Sequence, residues 1–120
     1  MELLIYGFVF LNVILLVIGQ LLFKLGLDRI GAVTFSNMLQ VFLSPWIWAG
    51  LGLYVFATLL WFAALSRANL SAVYPLQSLS YLVGLILSVA ILHESASPMR
   101  WIGTFVILLG VVLVSWPLRL

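Results

Sequence analysis

The chain has 120 residues, of which 66% are hydrophobic and only 7% charged, with a formal net charge of +2. A soluble domain carries about 25% charged residues, so five Lys and Arg with three Asp and Glu cannot clothe a water-facing surface, and most of the surface must meet lipid. The pI of about 9.4 comes from cations scattered over loops and ends, which excludes nucleic acid as a partner, and the lack of cysteine excludes disulfides and thiolate metal sites.

A bilayer core takes about 20 apolar residues per helix. Leu3 to Phe23 supplies the first such run, broken only by Asn12 and Gln20, and Lys24, Asp28 and Arg29 then mark an interface. The run starts Met1-Glu2 without a basic leader and is longer than the roughly 7–15 residues of a signal-peptide core, so it reads as a retained helix over 3–24. Residues 31–44 are mixed in polarity and read as a loop with an interfacial helical turn. Pro45 opens the second span, 46–66, because proline suits a first helical turn, and Trp46 and Trp48 suit the headgroup belt. A tight connection at Ser66-Arg67-Ala68-Asn69 leads into a third span over 70–92. His93 to Ser97 form the next short loop. Ser97 is placed to cap a fourth helix over 98–117, with Pro98 at its first position and Pro117 after Trp116 as its stop.

Short turns force antiparallel neighbours. The expected fold is therefore all-α: one integral membrane domain of four helices over residues 1–120, running up-down-up-down, with both termini on one side. Arg67 and Arg119 fall on that side, and Lys24, Arg29 and Arg100 on the other, so the positive-inside rule leaves orientation open.

Polar groups inside a span are costly and hence informative. Tyr74, Gln77, Ser78 and Tyr81 stand at i, i+3, i+4 and i+7, one helical face, with Ser88 seven further on. Such a stripe either lines a cavity or bonds to neighbouring helices. Pro75 among them either opens the helix or kinks it. Asn12, Gln20 and Lys24 lie at multiples of four on one side of the first helix. Lys24 either meets a phosphate as a point charge or snorkels to headgroups. Glu94, after the third span, either serves a ligand cation or faces water, and His93 reads as a solvent-facing loop residue. Gly103, Ile107, Gly110 and Val114 form a small-residue groove, either a seam between two copies or packing within one subunit. Gly50 and Ala57 give the second span a similar stripe. No phosphate loop or zinc-hydrolase motif occurs, and the one histidine leaves no catalytic set, so neither enzyme activity, cofactor nor metal is expected.

Ile18-Gly19-Gln20-Leu21-Leu22-Phe23-Lys24, Ala72-Val73-Tyr74-Pro75-Leu76, the His93-Glu94 loop entry and the Gly103 to Gly110 heptad together resemble the drug/metabolite transporter superfamily, at the size of its four-helix small multidrug resistance-like, EamA-like members. The likeness covers essentially the whole chain. Small multidrug pumps carry a membrane glutamate where this chain has Leu16, and a tryptophan where it has Gln77. The likeness is stronger to the lipid-carrier branch, through Gly19, Gln20 and Lys24, the Tyr74-Pro75 pair and the His93-Glu94 loop. That branch includes flippase subunits for undecaprenyl-phosphate aminoarabinose, used in lipid A modification.

The resemblance implies a dimeric carrier of the bacterial inner membrane, either a homodimer or a heterodimer with a paralogous subunit. Its substrate would be a polyprenyl phosphate bearing an aminosugar. Lys24 or Arg100 would meet the phosphate, and Tyr74, Gln77, Ser78 and Tyr81 the sugar, with Asn12, Gln20 and Glu94 in the same binding set. The alternatives are an exporter of small organic cations and a non-transporting accessory subunit of a lipid-glycosylation system.

Overall fold

The computed structural model describes residues 2–115, and no strand occurs among them. The expectations placed on Trp116, Pro117 and Arg119 lie outside the described residues. Helix α1 spans Glu2–Ile30, α2 Met38–Leu43, α3 Pro45–Leu65, α4 Leu70–Val73, α5 Leu79–Ala90 and α6 Pro98–Ser115. Three segments are long and apolar enough to cross a membrane: Leu3–Ile30, Pro45–Leu65 and Leu70–Ala90, the last combining α4 and α5. A shorter apolar helix, Pro98–Val114, follows.

Helix α1 continues beyond Lys24, where the sequence reading ends it. Lys24 and Asp28 pair across one turn at 3.3 Å, and Arg29 occupies the last turn, where a cation complements the helix dipole. Gly31 then stops the helix in the left-handed region at φ 95°, its N–H donating to the Leu27 carbonyl at 2.8 Å. Lys24 is therefore a residue of a continuous helix, with Asp28 and Arg29 on the turns after it.

The connection to α3 contains a 3-10 turn, Phe35–Asn37, and the short α2. Asn37 ties it together: its Oδ1 accepts from the Thr34 N–H and its Nδ2 donates to the Ala32 carbonyl, both at 2.7 Å. The Trp48 indole N–H donates to the Phe42 carbonyl at 2.5 Å, joining α2 to the start of α3. Phe35, Leu39, Phe42 and Leu43 stay exposed, as befits a segment between two membrane crossings.

Helices α1 and α3 form an antiparallel hairpin with close backbone approach. A Cβ on Gly50 would lie 2.9 Å from the Gly19 carbonyl oxygen and 2.6 Å from the Phe23 ring, and one on Gly19 would lie 2.8 Å from the Tyr54 ring. Gly50, Ala57 and Ala64, at heptad spacing, are the buried residues of α3. The hairpin is clamped at both ends by a cation over an aromatic face: Arg29 over Trp46 at 5.0 Å and Arg67 over Phe8 at 5.3 Å. Ile5, Val9, Val13 and Val17 carry the buried stripe of α1 onward to Val73, Leu76 and, on α6, Val111.

The third span is broken where the sequence reading draws it continuous. Residues Pro75–Ser78 form a 3-10 turn between α4 and α5. Proline has no N–H to donate and crowds the preceding turn, so the chain tightens to i→i+3 bonding, with the Gln77 N–H on the Tyr74 carbonyl at 3.1 Å. The span's regular helix ends at Ala90. His93 adopts φ 57°, and the Glu94 N–H donates back to the Ser88 carbonyl at 3.0 Å. Ser97 caps α6, its Oγ accepting from the Arg100 N–H at 3.3 Å.

Candidate functional site

Three clefts lie along α5, and most of the polar residues singled out in the spans line them. The first, of about 220 Å³, lies between α1 and α5 near the Lys24 end. Gln20 and Lys24 reach it from α1, Ser88 from α5, and Glu94 from the loop beyond. The back-turn at His93 and the Glu94–Ser88 backbone bond bring Glu94 over the end of its own helix, which puts it on this cleft. Gln20 is steered from the other side by α3, its Nε2 donating to the Tyr54 hydroxyl. Lys24 is half exposed, its ammonium held by Asp28.

The second cleft, of about 170 Å³, is lined by Leu16, Tyr74, Gln77, Ser78, Ser80 and Tyr81. Tyr74 and Gln77 stand three apart across the 3-10 turn, where such residues eclipse, and Ser80 and Tyr81 follow in the first turn of α5. The Tyr74 ring stands edge-on to Trp61 of α3 at 6.2 Å. The third cleft, of about 460 Å³, runs between α5 and α6 and holds Arg100 with Gly103 and Ile107. It shares Ser80 and Tyr81 with the second cleft and Gly84 and Ser88 with the first.

Asn12 stands apart from the open clefts. It is 1% exposed. Its Nδ2 donates to the Ala57 carbonyl at 2.7 Å, and its Oδ1 accepts from Gln77 Nε2 at 2.9 Å. One buried amide thus joins α1, α3 and the 3-10 turn. The stripe Asn12, Leu16, Gln20 and Lys24 runs along α1 from this joint, past the second cleft, to the first.

Gly110 and Val114 lie on α6 away from the clefts. A Cβ at Gly103 or at Gly110 would meet nothing within 4 Å, so neither glycine is needed for packing inside this subunit. The inward face of α6 is formed by Thr104 and Val111 instead.

Several residues of the site escape the sequence reading. Asp28 has a legible signal, since it stands four after Lys24 on what proves to be one helix. Ser80, which follows the 3-10 turn, and Leu16, which comes from α1, also line the second cleft. Tyr54 carries no signal of its own, because its meeting with Gln20 depends on the register of α3 against α1. Among the described residues no three His, Cys, Asp or Glu side chains gather as a metal site.

Apolar helices of membrane-crossing length, with small clefts lined by polar groups between them, define a polytopic membrane protein. The model of the EamA-like transporter family matches residues 2–116, and the chain belongs to that family. A Serratia proteamaculans protein described as a probable 4-amino-4-deoxy-L-arabinose-phosphoundecaprenol flippase subunit ArnF is 33% identical over 112 residues, covering 87% of this chain and 86% of that one. A Photorhabdus laumondii protein of the same description is 35% identical over 120 residues, covering 89% and 93%. A similarly described subunit ArnE from Aeromonas hydrophila is 33% identical over 79 residues, covering 66% and 69%. No solved structure matches the chain. These relatives are bacterial, and in bacteria multi-pass helical proteins reside in the inner membrane, the outer membrane being spanned by barrels. The chain is accordingly a multi-pass inner-membrane protein of the transporter class.

Proposed function

We propose that the chain is one subunit of a flippase that carries a polyprenyl phosphate bearing an aminosugar across the inner membrane. The observation that carries this reading is a charged cleft, with Gln20, Lys24, Ser88 and Glu94, on the same side of α5 as a neutral hydroxyl- and amide-lined one, with Tyr74, Gln77, Ser78 and Tyr81. Phosphate and sugar need those two chemistries side by side. Leu16, in the second cleft, and Lys24, in the first, are two turns apart, about 12 Å along the axis. One sugar ring and the reach of a lysine side chain cover that span together. Glu94, on the first cleft beside Lys24, is placed for a hydroxyl or amine at the phosphate end of the sugar, and Arg100 supplies a second cation along the α5–α6 groove. The polyprenyl tail stays in lipid, so lateral clefts suffice where a water-soluble cargo would need a sealed pore.

The paralogous pair of subunit names among the relatives supports a second small subunit as the partner. The open Gly103–Gly110 face of α6 is the seat for it, with α6 as the fourth crossing. Proton-driven export of organic cations fits less well. The acidic residues are Glu2, Asp28 and Glu94, so no carboxylate sits mid-span to exchange cation for proton.

The test is reconstitution into liposomes with a labelled polyprenyl-phosphate aminosugar, with and without a paralogous subunit. Lys24→Ala is expected to slow transfer about tenfold, the effect of roughly 1.4 kcal/mol of lost charge pairing. Equal transfer by wild type and Lys24→Ala would overturn the role of Lys24. Transfer of cationic drugs, abolished by an uncoupler, would favour the exporter. A chain silent under every condition except as a stabiliser of its partner would favour the accessory reading.

A further inference from the structure

The orientation of the Gln77 carboxamide is fixed by a chain of hydrogen bonds that allows only one solution. A backbone carbonyl can only accept, so the Asn12 atom facing Ala57 must be the donor Nδ2. The Asn12 atom facing Gln77 is then Oδ1, an acceptor, and Gln77 must answer with Nε2. This removes the usual ambiguity between amide oxygen and nitrogen. It leaves Gln77 Oε1 pointing away from Asn12. No buried polar side-chain atom of the described residues lacks a partner, and Oε1 has no bond among them, so Oε1 is not buried, on a residue that lines the second cleft.

That cleft contains no charged side chain. Its other polar groups are the hydroxyls of Tyr74, Ser78, Ser80 and Tyr81, which can rotate to donate or accept. Gln77 Oε1 is the one side-chain group there that can only accept and cannot turn over, because turning would set the Asn12 and Gln77 oxygens against each other. A ligand group facing it must donate. The faces of Tyr74 and Tyr81 additionally favour a cation.

We propose that Asn12 is a positioning residue that locks Gln77 as a permanent acceptor, and that the second cleft thereby prefers head groups presenting a hydrogen-bond donor, such as a primary amine, over cationic ones that present none. The proposal rests on the flippase reading for the idea that a sugar enters this cleft. It assigns Asn12 no contact with the ligand.

The test measures binding to the purified full-length chain in detergent, using soluble methyl glycosides of an aminopentose and of its N-trimethyl derivative. The second probe keeps the positive charge and has no N–H. Wild type is expected to bind the amine about tenfold more tightly, the worth of one retained hydrogen bond to a cation. Asn12→Leu is expected to bring the two affinities within about threefold, with binding of dodecyl phosphate at Lys24 serving as the control for folding. An Asn12→Leu chain that keeps the full preference, or a wild type that prefers the trimethyl probe, overturns the proposal. Should Asn12→Leu fail the folding control, Gln77→Met decides: it removes the acceptor and leaves the Asn12–Ala57 bond, so the preference must vanish there too. Because no transfer is measured, a preference that depends on Asn12 in a chain that flips no lipid would sink the flippase reading and leave this one standing.

Discussion

At Lys24 the meaning of a single charge depends on its partner. The Lys24–Asp28 pair is half exposed on both sides, and such pairs contribute about 0.2–1 kcal/mol. That is weak enough for a phosphate to displace Asp28, yet it must be overcome on binding. Asp28→Asn is therefore expected to raise affinity for dodecyl phosphate a few-fold, measured by titration calorimetry in detergent, and Lys24→Ala to abolish that gain in the double variant. His93 is the other residue whose backbone matters. It holds the left-handed region at φ 57°, where a side chain costs about 1–2 kcal/mol. A β-branched residue is worse placed still, so His93→Val is expected to loosen the loop that sets Glu94 over the first cleft, read as faster amide exchange at Glu94. The spacing of Asn12, Gln20 and Lys24 was legible because one α-helix carries them all. That Asn12 turns inward to Ala57 and Gln77 was not, because both partners come from segments far along the chain.

The elements differ in how they depend on small residues. In the α1–α3 hairpin, glycine is required by contact: a Cβ on Gly50 would press on the Gly19 carbonyl, which cannot move aside as a flexible side chain can. Gly50→Ala should destabilise the chain by about 1–3 kcal/mol, measured as a lower midpoint in denaturant titration in detergent. The heptad of Gly50 and Ala57 was visible in the sequence, but its partner glycine, Gly19, was read only as part of a motif. The third span shows the opposite limit. Its polar residues stand at α-helical spacing, yet Pro75–Ser78 is a 3-10 turn that Tyr74 and Gln77 span, while Ser80 and Tyr81 reach the same cleft from α5. Pro75→Ala, by allowing an α-helical path, is expected to rotate Gln77 away from Asn12 and to weaken aminopentose glycoside binding several-fold in the same detergent assay. The extent of α1 was missed for a simpler reason: Lys24, Asp28 and Arg29 look like an end when read as charges, and like a stabilised last turn once Gly31 is taken as the stop.

At the scale of the molecule, the subunit leaves many of its large apolar side chains exposed. Phe10, Phe56, Phe62, Phe105 and Leu113 are all exposed, which only lipid or a partner can satisfy. The open face at Gly103 and Gly110 separates those two options. A Cβ at Gly110 meets no atom within 4 Å, so Gly110→Leu, whose side chain starts into open space, should leave the monomer folded, checked by its denaturation midpoint in detergent. If α6 is the seam, the dimer fraction should fall sharply in crosslinking or in single-molecule photobleaching, and an unchanged dimer fraction would move the seam elsewhere.

The sequence by itself determined the solvent and the class of fold. Composition left lipid as the only medium, apolar runs near 20 residues set the helices, and prolines and short polar loops set the turns, all of them local properties of the chain. Only the tertiary structure decided which polar groups meet. Whether Lys24 faces Asp28, whether Gln20 finds Tyr54, and which end of Gln77 is free all depend on helix register and on the phase shift at Pro75, and these are fixed by packing between segments that the sequence keeps far apart.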